Sequence, residues 1–332
     1  MNPAVTVRAH ANIALVKYWG KRDAALNLPA TGSLSMTLSE LTTTTTVRWL
    51  DAPGPDRVML DGRMLAGKAL APLGRFLDRV RSLAETDAAC EVTTTNDFPT
   101  AAGLASSASG YAALALATTR AAGLDLTGRD LSLLARQGSG SACRSLHGGF
   151  VEWHRGTRED GLDSFAEPVP APETFRPMML VVVVAPGPKP VSSRDAMNRT
   201  VATSPFFPAW VEGQEAALAA MRAAIAAGDL ADVGAIAEAN CLKMHATMLG
   251  AEPWISFWRP ETLGVMQALV RWRQEGLPCW FTLDAGPNVK ILVDRRHAMT
   301  LRGLLGTVPG VVRIIACQPG PAAHLVSGGT DA

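Results

Sequence analysis

Residues 96–117 read NDFPTAAGLASSASGYAALALA. A Thr-rich, β-prone run at 92–95 gives out just before them, and the chain then passes through Pro99, two alanines and Gly103. A small-residue helix is expected to open around 104–107. A strand, a tight turn and a helix N-terminus together make an anion trap. The first-turn N–H groups lack helical partners, and the helix dipole places roughly half a positive charge there. Gly103 and the alanines allow close backbone approach to a bulky anion. Ser106 and Ser107 can cap the helix, bond phosphate oxygens, or hold a metal through a hydroxyl. Such turns are also common structural joints, so the stretch by itself leaves phosphate binding and a plain capped helix both open.

The 332 residues suit two domains or one large one, and 48% hydrophobic against 18% charged residues leaves ample material for a core. With 31 basic and 30 acidic side chains the net charge is +1, which gives no electrostatic reason to expect nucleic acid or an anionic membrane as partner. Cys90, Cys143, Cys241, Cys279 and Cys317 are isolated and form no CxxC pair, so neither a disulfide framework nor a zinc site is suggested. Buried thiols in a reducing cytosol are the expected state. No basic segment followed by an apolar run opens the sequence, so no secretory leader is expected. The most apolar run, 178–186, is far too short to span a bilayer and reads as a buried strand.

Strand signals fall at 13–16, 33–39, 42–49, 148–153, 178–185, 278–283, 289–293 and 311–316. Helical spacing marks 69–83, 111–122, 130–136, 210–227, 232–248, 262–274 and 297–305. This alternation suits an α+β chain in two layered halves, divided at the Pro-rich stretch after Pro186 into 1–186 and 187–332. Residues 62–69 (GRMLAGKA) nearly match a P-loop, but Ala69 lacks the hydroxyl that would bind Mg²⁺. A second small-residue turn, Gly138 to Ser145, carries Arg144 among serines and glycines. It is either an anion cradle with a bidentate cationic fork or a Gly-rich linker with a solvated Arg. In KYWGKRD (17–23), two aromatic residues beside two lysines favour a pocket wall over a solvated turn. A lone helical histidine such as His245 is more often packed or capping than catalytic. Asp284 stands at a strand end before Ala-Gly, where either catalysis or turn chemistry can demand an acid.

Three phosphate-suited turns and one strand-end aspartate resemble the GHMP kinase superfamily. Asn12-Ile13-Ala14 with KYWGKRD, NDFPTAAGLASSASGYAALA, GSGSACRSLHGGFVEW, VSSRDAM with VATSP, MHATM and FTLDAGPN are similar, in that order, to the diphosphomevalonate decarboxylase family. Ala105 stands where general kinases of the superfamily carry glycine, as in the decarboxylases. The resemblance implies a two-domain fold of the GHMP kinase type, with an N-terminal half like ribosomal protein S5 domain 2. It also implies a ferredoxin-like C-terminal half and an active site in the cleft between them. It implies ATP-dependent decarboxylation of (R)-5-diphosphomevalonate to isopentenyl diphosphate with release of ADP, phosphate and CO₂, using Mg²⁺, in a cytoplasmic homodimer. The alternatives are a relative acting on the 5-monophosphate, a kinase stopping at the 3-phosphate, and a silent nucleotide-binding regulator.

The same resemblance assigns roles. Asp284 would orient or deprotonate the tertiary hydroxyl, with Lys17 as charged partner and Arg144 reaching substrate. Tyr18, Trp19, Gly20 and Lys21 would border the substrate. So would Ser139, Gly140, Ser141, Ala142 and Cys143, with Ser193 and Arg194 completing the diphosphate clamp. Asn96, Pro99, Ala101, Ala102, Gly103, Leu104, Ala105, Ser106 and Ser107 would wrap ATP, with Ser106 near the metal and Lys189 a further phosphate contact. The chain also departs from the family. It reads Pro29-Ala30-Thr31-Gly32-Ser33-Leu34-Ser35 where Pro-x-Asn-Ser-Ser-x-Ser is common, and His10 replaces a usual proline. The family's basic residue after the first hairpin has two counterparts in range, Lys68 and Arg75.

Overall fold

The computed structural model describes residues 3–98, 106–184 and 191–326. The first half is built on β1 (Val5–Val16), a small hairpin of β2 (Lys21–Asp23) and β3 (Leu28–Pro29), and the long β4 (Ser33–Pro53). β5 (Arg57–Leu60), β6 (Arg63–Met64) and β7 (Ala88–Asn96) follow, with β8 (Phe150–Trp153) and β9 (Ala166–Val169) beyond the helices. β1, β4 and β7 pair antiparallel in that order and β5 joins β7 in parallel, while β8 and β9 extend from the start of β4. The helices α1 (Ala71–Ala84), α2 (Ser106–Ala121) and α3 (Gly128–Gly138) pack on this sheet. Alternate residues Val47, Trp49 and Val92 meet Phe76, Val80 and the alanines of α2 in one apolar layer. That layer follows from the period of two in the strands and 3.6 in the helices.

The strand signals at 33–39 and 42–49 merge into the single β4. Leu41 within it takes φ 65°, and the register against β1 jumps between His10/Thr42 and Asn12/Thr37. This bulge re-aims the strand: residues before it pair with β8, residues after it with β7.

The second half is a four-stranded antiparallel sheet, ordered β11–β12–β10–β13 from β10 (Met178–Val183), β11 (Cys279–Thr282), β12 (Val289–Val293) and β13 (Arg313–Cys317). β10 lies inside 1–186 but pairs only with β12 and β13, so its sheet places it with the second half. The expected division at 186/187 itself lies outside the described residues. The short β14 (His324–Leu325) returns to pair with β1. The helices are α4 (Ser193–Thr203), α5 (Phe207–Glu212), α6 (Gln214–Ala227), α7 (Leu230–Leu249), α8 (Pro260–Gln274) and α9 (Arg295–Leu305). α4 has no counterpart in the sequence reading, because its only clear signal is the cap: Ser192 accepts from the Asp195 N–H. The expected helix 210–227 divides at Gly213 into α5 and α6.

α6 and α7 lie between the halves. Leu218, Met221, Ile225 and Val233 share a core with Leu15 and Met36 of the first sheet and Met179, Val181 and Leu292 of the second. α8 and α9 cover the other face of the second sheet through Leu269, Trp272 and Leu301. Among the described residues no helix is long and apolar enough to cross a membrane.

Candidate active site

A cavity of about 320 Å³ opens where the end of β1, the start of α2, the segment after α3, α4 and the β11–β12 connection converge. Along β1 the period of two turns Asn12 and Ala14 toward it, and a register irregularity between Ala14 and Val16 precedes Lys17 and Tyr18. The Lys17 backbone N–H donates to Asn240 Oδ1 on α7 at 2.8 Å, fixing the strand end against the second half.

Gly140–Leu146 is a 3-10 helix rather than a loose turn. Three residues per turn stack Ser141 over Arg144 on the cavity side. The intervening Ala142 and Cys143 are fully buried away from it, and the Cys143 thiol donates to the Gly140 carbonyl at 2.9 Å. Neither side chain lines the cavity, so any part these two residues have in the expected substrate wall is left to their backbone. Gly20 is likewise off the wall. It takes φ +91°, and a Cβ there would lie 2.5 Å from the Phe207 ring, so its role is the tight approach of the KYWGKRD turn to α5.

Arg144 is 2% exposed. Its Nε donates to Asn12 Oδ1 at 3.2 Å and its Nη1 to Ser33 Oγ at 2.5 Å, while its guanidinium lies 5.9 Å from the Trp153 ring centre. Asn12 completes the brace by donating to the Ser141 carbonyl and Ser145 Oγ. All these partners are neutral, so the cation's remaining attraction is toward the cavity. Tyr18 packs edge-on against Trp153 at 4.8 Å, and burial pushes its phenol well above the usual range, keeping it a neutral donor. Lys21 donates to Asn27 Oδ1 at 2.5 Å; burial, then the neighbouring Arg194, lower its affinity for a proton. Ser193 and Arg194 reach the cavity from the first turn of α4.

Asp284 follows β11, and each of its oxygens has an ammonium. Lys17 Nζ lies 2.9 Å from Oδ1 and Lys290 Nζ 3.2 Å from Oδ2; the two lysines are 1% and 0% exposed. Burial alone would raise this carboxyl, but Lys17 and Lys290 outweigh it and hold it far below the ordinary carboxylate range. His245 lies beneath this cluster, against Trp258. Burial first, then the Lys17 charge, press it down to about 3, so it is neutral.

Of the expected substrate residues, Lys17, Tyr18, Trp19 and Lys21 lie on the cavity wall, with Ser139, Gly140, Ser141 and Arg144 opposite and Ser193, Arg194 and Asp284 closing it. Lys17, Lys21, Arg144 and Arg194 face one acid, Asp284, among the described lining residues, so the cavity suits a polyanion. Of the expected nucleotide residues Ser107 lines it too, together with Tyr111. Asn96 and Ser106 instead line an adjoining, mostly apolar cavity of about 230 Å³, shared with Thr43, Leu60, Ser107 and Tyr111. Pro99, Ala101, Ala102, Gly103, Leu104, Ala105 and Lys189 lie outside the described residues. Lys68 and Arg75 are exposed and line neither cavity.

The sequence reading missed Asn12 as a brace, Asn27 as the Lys21 partner, and Lys290. One signal for Lys290 was available: a lysine inside the apolar run VKILV must find a counter-charge if the strand is buried.

The description "Diphosphomevalonate decarboxylase-like N-terminal domain" matches residues 9–166, and "Mevalonate 5-diphosphate decarboxylase C-terminal domain" matches 179–313. The chain belongs to the diphosphomevalonate decarboxylase family. A curated relative from Aspergillus fumigatus, diphosphomevalonate decarboxylase mvd1, is 39% identical over 329 residues, covering 92% of this chain and 80% of the relative. The Homo sapiens diphosphomevalonate decarboxylase is 39% identical over 87% of this chain and 76% of its own length. The mevalonate diphosphate decarboxylase structure from Staphylococcus aureus superposes with a TM-score of 0.91 at 40% identity, covering 98% of each chain. A structure of MDDEF in complex with MVAPP, AMPPCP and magnesium superposes at 0.90 and 42% identity, covering 97% of this chain and 98% of that one. The two-layered α+β architecture is therefore the family's GHMP-kinase-type fold.

Proposed function

We propose that this chain catalyses the ATP-dependent decarboxylation of (R)-5-diphosphomevalonate to isopentenyl diphosphate, releasing ADP, phosphate and CO₂. The observation that carries the reading is Asp284, an ionised carboxylate held by two buried lysines at the edge of a cavity whose other charged lining groups, among the described residues, are all cations. Membership of the family and the named ligands of the MDDEF structure support it.

The chemistry asks for three things. A tertiary hydroxyl leaves poorly, so it must first receive the γ-phosphoryl group. Asp284, kept anionic, accepts a hydrogen bond from that hydroxyl and orients it; so weak a base takes the proton only as the new O–P bond forms. Lys17 lies on the Asp284 oxygen and on the wall, placed to neutralise charge on the transferring phosphoryl group. After transfer, departure of phosphate leaves positive character on the tertiary carbon, and the substrate carboxylate supplies electrons as CO₂ departs. Arg144, Lys21, Arg194, Ser139, Ser141 and Ser193 are placed to bind the diphosphate tail, Arg144 through a guanidinium pre-oriented by Asn12 and Ser33.

The nucleotide polyphosphate belongs near Ser107 at the start of α2, and the adjoining apolar cavity suits its base. Mg²⁺ is commonly held by one or two side chains together with substrate phosphates and water. The donor set fits that pattern, since no group of three or more acidic, histidine or cysteine ligands occurs among the described residues. Ser106 and Ser107 supply the hydroxyls that would hold it, and the ion would neutralise phosphate charge. A homodimer is the expected assembly. The five buried, free cysteines support a reducing, cytoplasmic setting.

The test is direct. Purified protein with Mg-ATP is given mevalonate 5-phosphate or 5-diphosphate, and CO₂, phosphate and ADP are measured. The reading expects CO₂ and phosphate in step from the diphosphate. ADP without CO₂ would identify a 3-kinase, and preference for the monophosphate would reassign the substrate.

A further inference from the structure

Lys290 is not among the residues lining the cavity, yet it holds half of the Asp284 carboxylate. In the β11–β12 pairing it stands opposite Thr282, and Asp284 follows Thr282 by two residues. The period of two therefore brings Thr282, Lys290 and Asp284 to one face of the hairpin. Every residue of β12 is buried, and its other members are three valines or leucines and one isoleucine. An apolar side chain at 290 would suit that packing, whereas an ammonium carries a desolvation cost of several kcal/mol that its ion pair with Asp284 helps to offset. Core packing thus gives no reason for the charge.

We propose that Lys290 is a positioning residue for the reaction: carried on the same hairpin as Asp284, its ammonium fixes Oδ2 and so presents Oδ1 to Lys17 and to the substrate hydroxyl. The proposal rests on the decarboxylase reading above. Lys17 comes from the first half of the molecule and Lys290 from the second, so Lys290 keeps the carboxylate oriented within its own half while Lys17 serves substrate and acid together. The remaining ionisable groups around Asp284 are Arg144 from the 3-10 helix and Cys241 and His245 from α7. Cys241 stays a thiol because burial raises it, and His245 is neutral, so neither can replace the missing cation.

The experiment compares the unmodified full chain with K290M, K290Q and K290R, measuring melting temperature, kcat, both KM values and the pH dependence of kcat. K290M and K290Q are expected to lose about 10–100-fold in kcat, the scale of a misplaced catalytic group, with KM for diphosphomevalonate and ATP changed less than about threefold. Their acid limb should move toward neutral pH, because a carboxylate with one cation fewer protonates more readily. K290R should recover most of kcat and restore the limb. A folded K290M or K290Q with unchanged kcat and an unmoved acid limb would overturn the proposal. So would a folded K290R as impaired as K290M, which would make shape rather than charge the requirement. If K290M does not fold, K290Q and K290R decide by the same readings. Failure of the unmodified chain to release CO₂ would instead overturn the reaction reading, a result separable from position 290 because the variants are scored against that chain.

Discussion

Replacing Asp284 with asparagine removes the one negative charge shared by two buried ammoniums. Lys17 is 1% and Lys290 0% exposed, so neither can turn to solvent without moving the strand that carries it. Breaking a buried pair by deleting one partner costs about 3–5 kcal/mol. Two pairs are broken at once, but they share a carboxylate whose side chain is 29% exposed, so screening keeps the sum near that range rather than twice it. An unfolding entropy of about 2.1 cal/mol/K per residue over 332 residues is about 0.7 kcal/mol/K. The expected fall in Tm is therefore about 4–7 °C. The pH dependence is the sharper signature. An unneutralised buried ammonium is relieved by releasing its proton, so the folded variant binds fewer protons than its unfolded chain, and its stability rises with pH. The deficit of D284N should therefore narrow between pH 7 and pH 9.5. Thermal melts of both proteins at the two pH values, paired with a CO₂-release assay expected to fall by about 10²–10⁴-fold, test this. A D284N protein melting within about 1 °C of the parent at pH 7, with no narrowing at pH 9.5, would refute the claim that this carboxylate neutralises both lysines.

Further outcomes follow from the same geometry. G138A places a Cβ 2.6 Å from Tyr111 Cε1 without needing an unusual backbone angle; overpacking of about 1–3 kcal/mol should lower Tm, and displacement of Tyr111 should raise KM for ATP more than it lowers kcat. Burial raises Cys90, Cys143 and Cys317 to about 12 and Cys279 to about 11, and also raises Cys241; a thiol reagent at pH 8 should label none of the five rapidly in the native protein and all five in urea. Burial holds His245 at about 3, below its unfolded value of about 6.5. The unfolded chain therefore binds a proton that the folded chain refuses, and stability declines as pH falls from 6.5 toward 3; urea midpoints of H245L should show a shallower decline over that window.

Much of the architecture was legible because it is periodic. Strands 289–293 and 178–183 and helix 262–274 follow from runs of alternating or helically spaced apolar residues, which must be buried wherever the chain goes. The small-residue turns were legible as candidate anion cradles, although glycine, serine and arginine there suited a plain linker as well. Leu41 broke the rule: a leucine at φ 65° carries no local mark, and the bulge there joins two expected strands into one. The inward direction of the Ala142 and Cys143 side chains was hidden for a related reason. A turn and a 3-10 helix share composition, but the three-residue period of the latter sends these two side chains inward while Ser141 and Arg144 face the cavity.

What the sequence determined by itself was the family resemblance and, through it, the expected chemistry and an expected acid at 284; residue type and local order alone left anion binding and plain turn structure both open. What only the tertiary structure decided was the geometry of each partnership and the partners that no motif named. Ser33 meets Arg144 across 111 positions and Lys17 meets Asp284 across 267. Lys290 finds Asp284 through the register of one hairpin. Contacts over such distances depend on how sheets and helices close around a common core, which no local pattern encodes. Asp284 and its Lys17 partner were expected from the resemblance, but the second buried ammonium, Lys290 of the same hairpin, came into view only with the strand register.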